Sequence, residues 1–271
     1  MRIRLKNGKK NAKTGVYVPV RFDFLCMRKF LVTIQFNGKN YGGWQRNDNA
    51  KTIQGEVEKA LLSLFGESVE ATGASRTDAG VSAHAYPFCF SVDTKLPADR
   101  VAFKLNRFLP KDIQAFSSQE VSADFDLRAS VKSKTYQYLL YCSPTLLPLL
   151  NRDAYHVKTP LDIESMKTGA SYLVGKNDLT AFSSKGGDER SHIKTVYSAS
   201  VESDGELIKI TVTASGFPYN GVRIIAGTLL LVGQTSNPDL IRDLLFSRDR
   251  SKAGLTLPPK ALTLIKTEIN T

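Results

Sequence analysis

The sequence is poor in the residues that build disulfide frameworks and metal centres. Among 271 residues only three are cysteine and three are histidine. They are scattered along the chain: Cys26, Cys89, Cys142, His84, His156 and His192. An odd number of widely separated cysteines suits neither a disulfide scaffold nor a CxxC metal knuckle. We therefore expect no metal centre and a reducing compartment, the cytoplasm.

Long apolar runs are lacking as well. No stretch approaches the roughly 18 to 20 consecutive apolar residues that a membrane-spanning helix requires. The N-terminus also lacks the apolar core of a secretory signal peptide. We expect a soluble protein that does not insert into membranes.

Acidic residues are few relative to basic ones, and the imbalance is concentrated at the N-terminus. The chain carries 37 Lys and Arg against 26 Asp and Glu, a net charge of +11. Residues 1 to 26 hold seven of the basic residues and one acid, so the rest of the chain has 30 against 25. Such a balance favours a polyanionic partner, either a nucleic acid or an anionic membrane surface.

Residues 1 to 26 allow three interpretations. They fit a disordered RNA-binding arm, an organelle transit peptide, or a start-site artefact, because Met27 directly precedes a clear strand.

Hydrophobic periodicity predicts mixed α and β structure in the first half. Alternating apolar residues predict a strand over residues 30 to 36, stopped by an Asn-Gly pair. Apolar residues at helical spacing follow Thr52, a capping residue, and end at Gly66. The pattern then predicts strands near 69 to 75, 86 to 92 and 113 to 121, and a helix over 98 to 109.

The second half repeats this order. Strands are predicted over 134 to 142, 207 to 213 and 261 to 269, a hairpin at Asp204-Gly205, and helices over 162 to 174, 222 to 233 and after Pro238. The sequence therefore predicts an α+β protein of two similar halves, residues 27 to 130 and 131 to 271. Each half should be a mostly antiparallel sheet with helices packed on one face, and the cleft between the halves is a natural place for a site.

Asp78 is the residue most in need of explanation. It lies between Thr77 and Ala79-Gly80 in a connection between two predicted strands. An isolated Asp-Ala-Gly is most often a turn. It also marks aspartic hydrolases, but that mechanism needs a second carboxylate, and Asp204-Gly205 lacks the apolar strand that should lead into it.

Five motifs in order carry a resemblance to a known family. They are "FNGKNYGGWQR", "TIQGEVEKAL", "SRTDAGVSA", "KTYQYLLY" and "GVRIIAGTLLLVG". In this order and spacing they resemble the TruA-type tRNA pseudouridine synthases, from about Arg28 to the C-terminus. The resemblance implies a pseudouridine synthase type fold and a reaction without metal or cofactor. It also implies that a homodimer isomerises uridine to pseudouridine at positions 38, 39 and 40 of the anticodon stem-loop.

The resemblance also implies roles for individual residues. The family's catalytic aspartate falls on Asp78, acting as a nucleophile on C1′ or as a base on the 2′ proton. The tyrosine that stacks on the target base and removes the C5 proton falls on Tyr136, and the arginine that pairs with the aspartate falls on Arg223. Arg76 falls on the arginine that positions the flipped-out base. The intact set of Asp78, Tyr136 and Arg223 argues against an RNA-binding protein that has lost activity.

Further basic residues are candidates for contacts with RNA phosphates. They are Arg46, Lys51, Arg107, Lys111, Lys132 and Lys134. Three positions depart from the common family pattern, Ser75 in place of Gly, Ser82 in place of His and Ile224 in place of Asn. These departures leave room for a synthase acting on a different RNA, such as ribosomal or mitochondrial RNA.

Overall fold

A computed structural model describes residues 27–186 and 191–270 of the chain. The basic arm predicted over residues 1 to 26 lies outside these residues.

The first half of the described chain contains four strands and two helices. In order they are β1 Met27–Phe36, α1 Ile53–Phe65, β2 Thr72–Gly73, β3 Ser82–Asp93, α2 Ala98–Leu105 and β4 Ile113–Val121.

The second half of the described chain adds six strands and three helices. In order they are β5 Val131–Cys142, β6 Tyr155–Val157, α3 Ile163–Ser171, β7 Gly175–Asp178, β8 Ile193–Asp204, β9 Leu207–Ala214, α4 Gly221–Thr235, α5 Leu240–Ser247 and β10 Leu262–Ile269.

Local sequence signals set most of these boundaries. The Thr52 hydroxyl accepts a hydrogen bond from the Gly55 N–H at the start of α1, and Gly66 ends the helix in the left-handed conformation, as predicted. Helix α2 is shorter than predicted, since it ends at Leu105 rather than at residue 109. Its Asn106 side chain instead hydrogen-bonds the backbone N–H and C=O of Ala115 at 2.7 Å each. These bonds turn the chain out of the helix and onto β4.

Two further predicted elements are also shorter than expected. Helix α3 ends at Ser171, and the strand predicted over residues 69 to 75 is reduced to the two residues of β2. The flanking residues of β2 include the buried Val69 and Ala71, so the apolar signal came from packing rather than from strand pairing.

The described strands form a single sheet of ten, mostly antiparallel. Its main path runs β4-β1-β3-β10-β5-β9-β8-β7, with β2 pairing β3 and β6 pairing β5. The mixed α+β fold is therefore confirmed, but the two halves are not separated by a break in the sheet. The last strand, β10, lies parallel to β3 and antiparallel to β5 and joins them.

One face of the sheet carries the core. Alternate residues of β1, such as Phe30, Val32 and Ile34, are fully buried in a large cluster to which all of the helices α1 to α5 contribute. The opposite face holds only a small cluster among the described residues, formed by Leu31, Ala74, Cys89 and Leu127. Helices therefore cover one face, as the periodicity predicts.

Within residues 27–186 and 191–270, no helix has the length and apolar character needed to cross a membrane.

Candidate active site

Asp78 lies on a short turn between β2 and β3. The Asp78 carbonyl accepts the Val81 N–H at 3.2 Å, and Gly80 adopts the left-handed φ of +82° that this turn requires. The Gly80 N–H donates to the Tyr41 carbonyl at 3.1 Å. The turn that carries Asp78 is thus tied to the segment before α1.

Gly43 lies close against this turn. It has a φ of +91°, and a Cβ built at this position would stand 2.3 Å from the Thr77 carbonyl oxygen. The same segment donates the Trp44 N–H to that carbonyl and accepts the Ile53 N–H at Gly43. A side chain at residue 43 would therefore push the Asp78 turn away from the start of α1.

We expect Gly43→Ala to destabilise the protein through both backbone strain and a clash with Thr77, and so by more than a Gly→Ala substitution that introduces backbone strain alone. Gly66, with a φ of +74° and nothing within 4 Å of its Cβ position, is the matched control. Gly66→Ala should lower the free energy of unfolding by about 1 kcal/mol, and Gly43→Ala by at least about 2 kcal/mol. Urea unfolding of both variants measures this, and equal losses would show that the contact with Thr77 has no energetic weight.

Arg223, at the start of α4, faces the Asp78 carboxylate. Its Nη1 lies 3.5 Å from Asp78 Oδ2, and both side chains are largely shielded from solvent, at 16% and 28% exposure. Its Nε donates to the Leu257 carbonyl at 2.6 Å. The guanidinium is therefore fixed by the backbone before it meets the carboxylate.

Two opposing effects act on Asp78. Burial raises the pKa of its carboxyl above the ordinary value, while the positive charge and hydrogen bond of Arg223 lower it. Burial is the larger effect, so the pKa of Asp78 remains raised. Without Arg223, the pKa of the buried Asp78 carboxyl would be higher still.

Tyr136 lies in the middle of the sheet, close to Asp78. It is on β5, where it is paired with Leu264 of β10 and Val212 of β9, and it is 8% exposed. Its ring meets Phe217 edge-on, with centroids 5.5 Å apart. Burial and then the negative charge of Asp78 raise the pKa of the Tyr136 phenol, and the Ser75 hydroxyl opposes them.

A cleft of about 730 Å³ opens over these residues. Asp78, Tyr136, Arg76 and Lys134 line it, together with the segment between β9 and α4. This volume suits a ligand of nucleotide size. The described residues place the turn before β3, strand β5 and the start of α4 around one cavity, so motifs far apart in sequence converge there.

The other predicted RNA contacts differ in position. The Arg46 guanidinium forms an ion pair with Glu58 at 2.7 Å, and Arg46 is not among the cleft-lining residues. Lys51 lies over the Tyr41 ring and 3.5 Å from Glu56. Their contacts with RNA stay predictions, as do those of Arg107, Lys111 and Lys132.

Two of the three family departures have structural roles. The Ser82 hydroxyl accepts the Gly38 N–H at 3.1 Å, and Ile224 is fully buried in the core. Ser75 lines the cleft, and its backbone carbonyl accepts a hydrogen bond from the Tyr86 hydroxyl.

Sequence reasoning missed two cleft residues. Asn220 accepts a 2.6 Å hydrogen bond from Arg223, and Arg128 donates its Nε to the Gly73 carbonyl at 3.3 Å. The position of Asn220, three residues before Arg223 at the start of a helix, was an available signal. Arg128 stands in a polar stretch before β5 that gave no signal.

Comparisons with known proteins agree with one another. A family model described as tRNA pseudouridine synthase matches residues 170–268. A protein of Thermoanaerobacter sp. (strain X514) named tRNA pseudouridine synthase A is 42% identical over 241 residues, 89% of this chain and 99% of its own length. A protein of Acetivibrio thermocellus with the same name shows the same identity and coverage.

A third relative and one solved structure extend the comparison. The Clostridium perfringens protein named tRNA pseudouridine synthase A 2 is also 42% identical, over 89% of this chain and 99% of its own length. A chain of the archaeal box H/ACA sRNP Nop10-Cbf5 complex aligns with 74% of this chain and 42% of its own, at 12% identity and a TM-score of 0.36. That structural likeness is too slight to support an argument.

Proposed function

Because this chain belongs to the tRNA pseudouridine synthase A family, we propose that it isomerises uridine to pseudouridine at positions 38, 39 and 40 of the tRNA anticodon stem-loop, with Asp78 as the catalytic residue. The observation that carries the proposal is that Asp78 and Tyr136 line one cleft while Arg223 pairs with the Asp78 carboxylate. These side chains come from a turn, a helix and a strand.

The reaction conserves every atom of the nucleotide. The bond from C1′ to N1 breaks, the uracil turns, a bond from C1′ to C5 forms, and the C5 proton leaves while N1 gains one. Asp78 serves either by attacking C1′ or by removing the 2′ proton, and both routes require its ionised form. The nearby Arg223 charge favours that form.

The buried phenol of Tyr136 stacks on the turned-out uracil in this proposal and takes the C5 proton. A neutral phenol is the resting form, because burial and Asp78 hold the pKa of Tyr136 well above its ordinary range. The phenol can therefore take the C5 proton only as it gives up its own proton, and N1, which gains a proton in the reaction, is the acceptor that balances the step.

Access to the cleft requires the target nucleotide to leave its stem. Turning it out costs a few kcal/mol, which contacts with the protein must offset. Arg76 lies beside Asp78 in the cleft lining with its side chain exposed, where a guanidinium can fill the vacated stack or hold a flanking phosphate.

Two details of the proposal rest on family membership. The active form is a homodimer whose subunits share one tRNA, and the compartment is the cytoplasm. Sedimentation of the RNA-free protein at the monomer mass of 29.9 kDa would contradict the dimer.

The substrate is tested by comparing RNAs. The protein should form pseudouridine in a tRNA transcript carrying uridines at positions 38 to 40 and leave ribosomal RNA fragments of equal length unmodified. Modification of the ribosomal fragments alone would assign the enzyme to another RNA. Binding of both without modification would indicate an inactive RNA-binding protein.

Lys134 should make tRNA binding sensitive to pH. It precedes Tyr136 by two residues on β5, so the two side chains share one side of the strand. Burial, and then the charge of Lys194, lower the pKa of the Lys134 ammonium to about 8. A bound phosphate favours the charged form, and the charge is lost as the pH rises.

We expect tRNA affinity to fall as the pH passes about 8. Lys134→Gln should remove most of this dependence and reduce the slope of log K against log salt by about one. Lys209→Gln is the matched control, because Lys209 alternates with the buried Ile208 and Ile210 and faces the other side of the sheet. Filter binding over pH and salt measures both, and equal effects of the two substitutions would contradict a phosphate contact at Lys134.

A further inference from the structure

We propose that Asn220 is a positioning residue that holds the Arg223 guanidinium at a set distance from Asp78, so that the carboxylate is stabilised by the charge but stays free to react. This inference rests on the proposed function of the same cleft. It assigns a role to a residue that the sequence motifs did not single out.

The first observation is the backbone conformation of Asn220. It has a φ of 60° and a ψ of 10°, the left-handed region, immediately before α4. Few non-glycine residues adopt this conformation, and asparagine is among those that tolerate it best. The conformation turns the Asn220 side chain toward the first turn of α4, where Arg223 lies three residues on. The helix start therefore has no side-chain cap, and the amide is available to the arginine.

The second observation is the unequal length of the bonds to Arg223. Its Nη1 donates to Asn220 Oδ1 at 2.6 Å, and its Nε donates to the Leu257 carbonyl at 2.6 Å. The distance from the same Nη1 to Asp78 Oδ2 is 3.5 Å, at the limit of a hydrogen bond. The guanidinium thus makes its short hydrogen bonds to Asn220 and to the Leu257 carbonyl, and its contact with the Asp78 carboxylate is the long one.

This inequality has a chemical consequence. A short bidentate ion pair would occupy the lone pairs of the carboxylate and hold it in one orientation. An arginine anchored elsewhere still favours the ionised carboxylate through its charge, because that effect falls only slowly with distance. The lone pairs of Asp78 then remain available for C1′ or the 2′ proton.

The third observation fixes the orientation of the amide. Asn220 Nδ2 donates to the Ser184 hydroxyl at 3.0 Å, and the Ser184 N–H donates to the Tyr219 carbonyl at 3.0 Å. The oxygen end of the amide therefore points at the arginine and the nitrogen end at Ser184. A reversed amide would place two donors against each other.

The charged and titratable groups around Asp78 come from several elements. Arg223 comes from α4 and Tyr136 from β5, while Arg76 in the Asp78 turn and Lys134 on β5 line the same cleft. Of these, Arg223 donates a hydrogen bond to the carboxylate. A change in the position of Arg223 should therefore register in the titration of Asp78.

The test uses Asn220→Gly in the full-length protein. Glycine adopts the left-handed conformation freely, so the substitution removes the amide without adding backbone strain. We expect the released guanidinium to close on the carboxylate, so that kcat for tRNA falls on the order of 10²-fold, KM stays within about twofold, and the acidic limb of the kcat profile moves to lower pH. Ser184→Ala, which leaves the bond from Arg223 to Asn220 in place, should lose much less activity.

A titration that does not depend on turnover separates this inference from the proposed function. The pKa of Asp78, followed by NMR of carboxyl-labelled protein, should be lower in Asn220→Gly than in the wild type, because a closer guanidinium favours the ionised form. This result would support the positioning role even if the wild type modified no tRNA. An unchanged or higher pKa of Asp78 in Asn220→Gly would overturn it.

A second variant covers the case in which Asn220→Gly does not fold. Asn220→Asp keeps the acceptor and the shape, but its charge offsets that of the guanidinium. The guanidinium therefore stays at its distance, and the pKa of Asp78 and the acidic limb should rise in this variant, opposite to the shift in Asn220→Gly. A folded Asn220→Asp protein with the wild-type profile would contradict the inference.

Discussion

Asp78→Ala is expected to abolish pseudouridine formation while leaving tRNA binding nearly intact. Loss of a residue that performs the covalent or proton-transfer step lowers kcat by about 10⁴-fold to 10⁶-fold. Binding should survive because the exposed Arg76 and the half-buried Lys134 remain in the cleft. The raised pKa of Asp78 means that burying its ionised carboxylate costs folding free energy. The variant lacks this cost, so it should be at least as stable as the wild type. Single-turnover kinetics and filter binding on one preparation measure both quantities.

Asp204→Ala is the control for this experiment. Asp204 ends β8 in the hairpin to β9 and is exposed, so it has no part in the cleft. We expect wild-type activity from it. An equally large loss in Asp204→Ala would revive the mechanism with two carboxylates that the sequence left open. An Asp78→Ala enzyme that retained its rate would remove Asp78 from the chemistry.

Tyr136→Phe is expected to lower kcat by about 10²-fold to 10⁴-fold, the usual contribution of a positioned acid or base. The ring remains, so the edge-on contact with Phe217 and the stacking surface are kept. KM for tRNA should therefore change little. Rates with a tRNA carrying deuterium at C5 of the target uridine measure the step directly, since removal of that proton becomes slower in the variant.

Tyr141→Phe is the matched control on the same strand. Tyr141 is fully buried and its hydroxyl accepts the Leu147 N–H at 3.3 Å, at the far end of β5 from Lys134. Loss of the Tyr141 hydroxyl should lower the free energy of unfolding by about 1 kcal/mol and leave kcat unchanged. If Tyr136→Phe behaved like Tyr141→Phe, the phenol of Tyr136 would have no role beyond packing.

Short-range signals account for what the sequence predicted well. The Thr52 cap and the Gly66 stop bound α1 because their side-chain chemistry acts within a few residues. The alternation from Phe30 to Phe36 gives the buried face of β1 for the same reason. The hairpin after Asp204 likewise depends only on its own turn residues.

Long-range pairing could not be predicted in this way. Strand β10 inserts between β3 and β5 and makes one continuous sheet, but its sequence says only that it is a strand. The ion pair of Asp78 and Arg223 joins residues 145 apart in sequence. Family resemblance suggested that pair, while the periodicity of α4 gave no reason to place an arginine against a carboxylate.

Competing interactions explain the remaining differences. Arg46 forms an ion pair with Glu58, and the positive charge of Arg46 alone does not predict this partner. The spacing of Asn220 from Arg223 is visible in the sequence, but the left-handed conformation of Asn220 at the helix start is seen only in the fold. The balance at Asp78, where burial outweighs Arg223, likewise depends on how deeply the turn lies in the cleft.

The central claim is that this cleft, through Asp78, makes pseudouridine in the anticodon stem-loop. The direct measurement is nucleotide-resolution mapping of pseudouridine in one tRNA transcript with uridines at positions 38, 39 and 40, treated in parallel with wild type and Asp78→Ala. We predict pseudouridine at those positions with the wild type and at none with the variant, although both bind the transcript. Pseudouridine formed by the variant, or none formed by a wild type that binds the transcript, would contradict the account.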